Sequence, residues 1–579
     1  MEPSRSITLT VRDAVAASLA PMWGQKSIWQ WHGMANDDEA YFTNGQSFRV
    51  ADHVPGGCKP DALIDALAQM VHRQDALRTT LDTSAGRLTG QVVHGDGELS
   101  VDVYEARPDD AESVAGAVAE RMSGRPWTGR EWPLRAALVV VDGSAEFLVM
   151  SHNRLVVDPQ SLDFLMFDLA ALITGHPEDA LSHWQGVEET RYELSAERAE
   201  DHARAIDYWR SVLTACPPTM FDFPTGAPDD TRYVLAQMAS VPLARAVRVL
   251  RRRWRATGGA LVLGAMAVAL GQYTGHRDIV LQMFAGNRTD RRRRRMLGTL
   301  ISEGLIHIGL ADRSFAAIAT EATRSISAAN RYAYCDPDAV RAVREEIERR
   351  TGARLDLAVY FNDMQTMQDA EQSELTAEEV ANLVADGAAL DPPESWPGWD
   401  ESWQAKVTRK DIRLLLTAQH GHDLPLLLSC DTTYLSRDTM AVLLRAMERL
   451  LVAAARDGDV AAADLGRVAE VTPVTRGPSW TRCDGGWVDV AATRRLWRDV
   501  SPHGTVLVEP GDDRRLVGYV NGSRAPALDE LHRRMLAAIG DRNDVRAPAW
   551  YRWVDAPPAD PDDAEAWRGA AVLAEGPGR

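Results

Sequence analysis

Lysine is almost missing from this chain. Of 64 basic residues among 579, only Lys26, Lys59, Lys406 and Lys410 are lysines, so no chemistry that needs a lysine amine has a candidate after residue 410. Cysteine is sparse as well. Cys58, Cys216, Cys335, Cys430 and Cys483 are odd in number, widely scattered and free of any CxxC pair, which excludes a disulfide scaffold and reads as free thiols in a reducing cytoplasm. No charged-then-apolar leader opens the sequence, in keeping with a cytoplasmic location. The longest apolar run, near residues 260–270, is too short to cross a bilayer and reads as a buried helix, so no membrane association is expected. A formal net charge of −19 argues against a nucleic-acid partner, which wants a basic face. GxSxG, HExxH and Walker-type patterns are missing too. Their absence removes the serine-hydrolase elbow, that class of zinc site and the phosphate loop, and no metal or bound cofactor is expected.

What is present reads as an α/β protein of more than one domain. A hydrophobic share of 45% and a charged share of 25% are ordinary for a globular chain, and 579 residues exceed what one core supports. In "KPDALIDALAQMVHRQDALRTTL", Leu63, Leu67, Met70 and Val71 share a helical face. "RAALVVVDGSAEFLVMSH" predicts a hairpin with Asp142-Gly143 at its turn. From Ser161 the period changes: Leu162, Leu165, Met166, Leu169 and Leu172 follow helical spacing until Gly175.

A second unit begins near Pro217. "CPPTMFDFPTG" reads as an irregular crossover, followed by an amphipathic helix over 243–254 and a very apolar one after Gly259. "RDIVLQMFAGNR" and "RLDLAVYFNDMQ" read as strands. "DIRLLLTAQHGHDLPLLLSCD" reads as a hairpin with His420 and His422 exposed at its turn. The acidic stretch 367–401 reads as a flexible insertion. Beyond Asp457 an Ala-rich linker leads to a small α/β unit. There "GTVLVEP" and "RRLVGYV" are strands, "ALDELHRRMLAAIG" is a helix and the Pro/Asp-rich tail is a loop.

The segment whose position points to function is "SHNRLVVDPQS", residues 151–161, which links a strand to a helix. Arg154 cannot act as a base, but it can donate hydrogen bonds to a developing oxyanion or grip an anion; the alternative is that it fills a dead site. His152 shares a strand face with position 154, as a displaced base or as a simple strand-end histidine. Tyr360 and Asn362 can orient a substrate or cap a strand. The arginine run 291–295 is a solvated loop or a contact for an acidic partner or a phosphate.

Taken together, these landmarks resemble the condensation and heterocyclization domain superfamily of nonribosomal peptide synthetases, over about residues 8–457. "PMWGQKSIWQWHGM" looks like the family's opening motif. "RQDALRTTL" looks like RHexLRTxF with Gln74 in the His place. "NRLVVDPQS" falls where the family has HHxxxDGxS, "DYWRSVL" resembles the segment before the crossover, and "GNRTD" with "LGTLISEGLIHIGL" resembles the later floor-loop motif. The last ~110 residues resemble the small C-terminal subdomain of adenylation enzymes, through "TRCDGGWVDVAATRRLW", "GTVLVEPGDDRRLVGYV" and the "YRWVDAPPADPDD" region. That family's catalytic lysine and ATP-binding subdomain have no counterpart here, so self-contained adenylation is not expected.

The resemblance implies two chloramphenicol-acetyltransferase-like α/β sandwich lobes in a V, residues 8–216 and 217–457, plus a small C-terminal α/β domain at 470–579. It implies a tunnel between the lobes where substrates meet on the phosphopantetheine arms of peptidyl or acyl carrier proteins. No GGxS attachment context occurs in the chain, so these carriers are expected in trans, serving a free-standing enzyme of antibiotic or other secondary metabolism. Arg154 and Asn153 stand at the motif's histidine positions. By the resemblance, Asp158 holds the loop and pairs with Arg288. Asn153, Arg154 and Asp158 are the expected catalytic set, with His152, Ser161, Tyr360 and Asn362 as substrate contacts and Arg288 as structural. The expected reaction is amide formation, ahead of ester formation. The alternatives are a non-catalytic scaffold that docks carrier proteins and a diverged heterocyclization or acyltransferase activity. The NxxxxDxxS pattern is similar to the heterocyclization motif DxxxxDxxS with its first carboxylate lost.

Overall fold

A computed structural model of the chain describes residues 2–31, 42–83, 86–127, 131–176, 184–229, 231–364, 375–385, 390–391, 411–419, 421–483, 485–500, 506–511, 515–521 and 527–577. His420 and most of the acidic stretch 367–401 lie outside them. Packing groups the chain into two compact units. One is Met1–Arg204 with Ala285–Glu303 and Ala333–Pro337; the other is Ala205–Phe284 with Gly304–Tyr332 and Asp338–Arg579. This grouping differs from the three anticipated segments. Two later stretches return to the first unit, and the C-terminal part counts with the second.

The first unit contains strands β1 (Arg5–Val11), β2 (Ala17–Leu19), β3 (Thr43–Arg49), β4 (Thr79–Asp82), β5 (Gly90–Val93), β6 (Gly97–Glu105), β7 (Leu134–Val141) and β8 (Ser144–Asn153). Five of them form a sheet in the order β1-β6-β7-β8-β3, and β2-β5-β4 form a smaller one. Alternation along β7 and β8 sends successive side chains to opposite faces. Ala136, Leu138, Leu148 and Met150 pack with Leu63, Leu67 and Met70 of the Pro60–Arg73 helix and with Leu162, Leu165 and Leu169 of the Pro159–Ile173 helix. Ala137, Val139, Phe147 and Val149 meet Ala115, Val118 and Met122 of the Ala111–Ser123 helix. Helices on both faces explain why β7 reads as a continuous apolar run. The hairpin turn has both central residues left-handed, Asp142 at φ 49° and Gly143 at φ 77°. That is the twist-matching geometry for which an Asp-Gly pair is suited.

The second unit holds β9 (Tyr233–Met238), β10 (Asp278–Ala285), β11 (Ser302–Gly309), β12 (Val359–Met364), β13 (Leu390–Asp391), β14 (Leu414–Gln419) and β15 (Leu426–Asp431) in one sheet ordered β11-β10-β12-β14-β15-β9-β13. The Gly258–Thr274 helix is buried on nearly every side, as an all-apolar helix must be, and the Thr257 hydroxyl caps it by accepting from the Ala260 N–H at 3.1 Å. No single helix among the described residues is long and apolar enough to cross a membrane.

The C-terminal part carries a hairpin, β16 (Trp480–Cys483) and β17 (Gly486–Asp489), and a four-stranded sheet of β18 (Val506–Pro510), β19 (Leu516–Asn521), β20 (Trp550–Val554) and β21 (Val572–Pro577). It has its own core, in which Trp497, Val506, Val508, Met535 and Tyr551 pack together. The Pro/Asp-rich tail expected to be a loop begins as turns after β20, but then forms a short Ala564–Gly569 helix and β21. Fully buried Trp567 anchors it beside Leu507, Tyr519 and Val554, and the Asp563 carboxylate caps the helix by accepting from Glu565 and Ala566 N–H groups at 3.0 Å. The Pro/Asp-rich residues fill the connecting turn and this cap, which is why composition alone read as loop.

Candidate functional site

The strand-to-helix link in the first unit is built by short-range bonding. β8 ends at Asn153, whose side-chain carbonyl accepts from the Leu155 N–H at 2.9 Å while its backbone carbonyl accepts from Val156 and Val157, both at 2.9 Å. This Asx-type turn reverses the chain and buries Leu155, Val156 and Val157. Arg154 lies at the bend, half-buried. Its N–H donates to the Phe42 carbonyl at 2.8 Å, and its carbonyl accepts from the Thr299 hydroxyl at 2.8 Å. The side chain therefore starts from a backbone held on both sides.

Below the bend, Asp158 caps the Pro159–Ile173 helix by accepting from the Ser161 N–H at 2.9 Å. The same carboxylate accepts from Arg288 Nη2 at 2.8 and 2.9 Å and from the Leu300 N–H at 3.1 Å. The ion pair implied by the resemblance is formed, with the side chains of Asp158 and Arg288 1% and 7% exposed. Arg288 Nη1 also donates to the carbonyls of Arg293 and Met296, at 3.1 and 2.5 Å. Ser161 lies inside this node and is fully buried. Its hydroxyl accepts from Arg288 Nη2 at 2.9 Å and from the Gly298 N–H at 3.1 Å, and has the Asp158 carboxylate and the Gly298 carbonyl as acceptors. That gives Ser161 a structural place, whereas it was expected among the substrate contacts. Asn287, left-handed at φ 54°, closes the segment by donating to Leu300 O at 2.6 Å and Ser302 Oγ at 2.8 Å.

Other motif residues support this framework. The Trp23–Trp29 helix approaches the 298–300 segment so closely that a Cβ on Gly24 would lie 2.0 Å from the Thr299 carbonyl oxygen. The Trp23 N–H donates to the Glu193 carboxylate at 3.1 Å, and the Tyr334 hydroxyl donates to it at 2.5 Å. Complete burial, and then the neighbouring Glu189, push the Glu193 carboxyl up to about 8. Glu189 is paired with Arg293 at 2.8 Å, which places one member of the arginine run in a buried ion pair and not in solvent. In "RQDALRTTL", Asp75 accepts from the Gly186 and Val187 N–H groups at 3.2 and 3.0 Å. Arg78 is buried among the carbonyls of Val71, Val15 and His94. Gln74 is fully buried, and both polar atoms of its amide lack a hydrogen-bond partner among the described residues.

His152 is 1% exposed, and neither ring nitrogen has a hydrogen-bond partner among the described residues. Burial, and after it the Arg154 guanidinium, push the imidazole down to about 3. A group with so low a proton affinity is neutral but weak as a base near neutral pH, which removes the physical advantage of a displaced base. Tyr360 and Asn362 belong to β12 of the second unit, whereas the 151–161 loop and Arg288 belong to the first. The Tyr360 hydroxyl accepts from Gln282 Nε2 at 2.6 Å and its ring stacks on Phe284. Tyr360 is buried and Asn362 half-buried. His422 is exposed. No group of His, Cys, Asp or Glu among the described residues is spaced to hold a metal ion. Sequence reasoning did not single out Thr299 within "LGTLISEGLIHIGL" and missed the Glu189–Glu193–Tyr334 cluster. These residues gain their partners only through long-range packing.

Comparison with known proteins places this geometry. Residues 17–386 match the family model described as "Condensation domain". Among curated relatives, Fusarin C synthetase of Gibberella moniliformis is 24% identical over 46% of this chain and 7% of its own length. Surfactin synthase subunit 2 of Bacillus subtilis is 27% identical over 39% of this chain and 6% of its own length. The chain thus matches only a small part of these much longer proteins. Among solved structures, the X-domain from teicoplanin biosynthesis aligns over 77% of this chain and 96% of its own, with a TM-score of 0.53 and 20% identity. The condensation domain of the monacolin K polyketide synthase MokA aligns over 78% and 100%, with a TM-score of 0.56 and 16% identity. The strand–loop–helix carrying Asp158, the buried pair it makes with Arg288, the two sandwich-like units and the family match covering well over half the chain agree: the protein belongs to the condensation-domain family.

Proposed function

We propose that this chain joins acyl or aminoacyl groups held on the phosphopantetheine arms of carrier proteins supplied in trans, forming an amide. The observation that carries this reading is the intact Asp158–Arg288–Ser161 node under a loop whose bend bears Arg154. The node fixes the loop, and a fixed cation near the reacting carbonyl is an oxyanion donor that needs no titration. The amine lone pair attacks the thioester carbon, the oxyanion collapses, the C–S bond breaks and the thiolate leaves with the nitrogen's surplus proton. An unprotonated amine is already a competent nucleophile, and alignment alone can supply effective molarities of ~10⁵ M or more. Asn153 offers no carboxylate, and its carbonyl is engaged with Leu155, which weighs against cyclodehydration. The C-terminal part is read as having no adenylation of its own.

A second reading, a scaffold that docks carrier proteins without turnover, draws support from the His152 imidazole at about 3, because no side chain at 152–154 then acts as a base. Mass spectrometry of the chain mixed with two loaded carrier proteins separates the two. A joined product whose formation collapses in Arg154→Ala supports catalysis. A stable complex with unchanged carrier loads supports the scaffold and ends the enzymatic reading.

A further inference from the structure

The family match ends at residue 386, so it gives no role to the C-terminal part. Its contacts inside the second unit do. Asp222 sits in the crossover segment 216–226 and is fully buried. Its carboxylate faces His276 Nε2 at 2.9 Å and accepts from Arg476 Nη2 at 3.1 Å and from the Trp487 N–H at 2.7 Å. Trp487 belongs to β17, and the approach requires Gly486: a Cβ there would lie 2.9 Å from the same carboxylate. Arg476, from the linker, also donates to the Asp222 carbonyl at 3.0 Å and the Thr274 carbonyl at 2.8 Å, under the Trp487 ring at 4.6 Å. The Val474 N–H donates to Tyr273 O at 2.8 Å.

A second set of bonds repeats the pattern. Asp356 accepts from the Thr219 hydroxyl at 2.8 Å, Arg413 at 2.6 Å and Asn543 Nδ2 at 2.9 Å. At the end of the Pro337–Thr351 helix, His532 Nε2 lies 2.7 Å from the Arg349 carbonyl, and its Nδ1 lies 2.9 Å from the Tyr551 hydroxyl. A carbonyl only accepts, so Nε2 carries the proton and Nδ1 accepts from tyrosine. The Ala547 N–H donates to Gly352 O at 2.7 Å, where Gly352 is left-handed at φ 69° and a Cβ would lie 2.5 Å from Ala547 O.

We propose that the C-terminal part is a fixed brace: it clamps the crossover segment 216–226 through Asp222 and Asp356 and caps two helix C-termini of the second unit. Last-turn carbonyls lack partners within their own helix, and a buried carboxylate needs donors. Both needs are met in part from the linker and the C-terminal part. A separately moving module would take the Trp487 N–H from Asp222, Asn543 from Asp356 and the donors from the helix-end carbonyls each time it moved.

Two experiments on the full chain test this. A protease site inserted after exposed Gly477 allows the chain to be cut in the folded state. The two pieces are expected to co-elute in size-exclusion chromatography; their separation would overturn the brace. In Arg476→Met, and independently in the milder Asn543→Ala, amide hydrogen exchange across 217–226 is expected to rise ~10-fold or more while β18 and β19 keep their protection. Unchanged exchange across 217–226 in the folded variants refutes the proposal. Neither readout depends on condensation activity.

Discussion

Asp158→Ala removes the one carboxylate that caps the Pro159–Ile173 helix, receives Arg288 and accepts from Leu300. Breaking a buried ion pair from one side typically costs ~3–5 kcal/mol. The pair here is nearly solvent-free, at 1% and 7% exposure, but Arg288 retains the carbonyls of Arg293, Met296 and Gly298. Its charge is therefore not stranded, and the low end, ~3 kcal/mol, is expected. For a unit of this size that corresponds to a drop of ~6–12 °C in melting midpoint. Circular dichroism melting of Asp158→Ala, Arg288→Met and the double variant measures it. The double variant should lose less than the sum of the singles, since once one partner is gone the other has less to lose; the coupling should be ~1–3 kcal/mol. A drop under ~3 °C for Asp158→Ala, or additive losses, refutes the reasoning.

Three other perturbations separate chemistry from framework. Arg154→Ala should cut turnover by ~10²-fold or more while the chain stays folded; full turnover ends the oxyanion role. The His152 imidazole is lowered to about 3 in the folded state. Below pH ~6.5 the unfolded chain therefore binds a proton that the folded one refuses, and stability falls with pH. Wild type should lose ~2 kcal/mol from pH 7 to pH 5 that His152→Leu keeps, as read by urea midpoints; parallel curves sink the idea. Glu193 has the opposite sign. Raised to about 8, it holds a proton in the folded state that the unfolded chain releases above its ordinary range, so stability falls as pH rises toward 8. Glu193→Gln should gain on wild type from pH 5 to pH 8 in the same assay, and a constant difference between them refutes the shift.

Much of the framework was legible because it is local. The Asp142-Gly143 turn, the period change at Ser161 and the shared face of Leu63, Leu67, Met70 and Val71 in the Pro60–Arg73 helix are each written within a short stretch of sequence. The Asp158–Arg288 pair is 130 residues apart in sequence and was reachable only through resemblance to a family. The structure then supplied its partners, Ser161 and Leu300. What escaped notice has no local signature. Thr299 matters because Gly24 and Arg154 come against it, and Glu193 is perturbed because long-range packing buries its carboxyl completely beside Glu189. The tail was misread for the converse reason: prolines and aspartates advertise a loop, while the single buried Trp567 that organises it carries no pattern.

Arg154 and Asp158 share one short loop but answer to different physics. Asp158 is valuable for its charge in a dry place, where it pairs with Arg288 and caps a helix at once. Arg154 sits half in solvent on a bend whose backbone bonds, to Phe42 and Thr299, are indifferent to its side chain. A histidine at 154 would meet the same backbone. What changes with arginine is the kind of help available: a titratable base is exchanged for a permanent donor. An amide-forming reaction tolerates that exchange, because its nucleophile arrives with a free electron pair. An ester-forming one does not, because an alcohol must lose its proton as it attacks. Arg154→His should thus leave any amide-forming activity within reach of wild type and be the variant in which ester formation from a hydroxyl acceptor emerges, as compared by mass spectrometry with matched amine and alcohol acceptors. Ester formation by the wild-type chain at the amide rate would show that a base acts from elsewhere and would refute this division of roles.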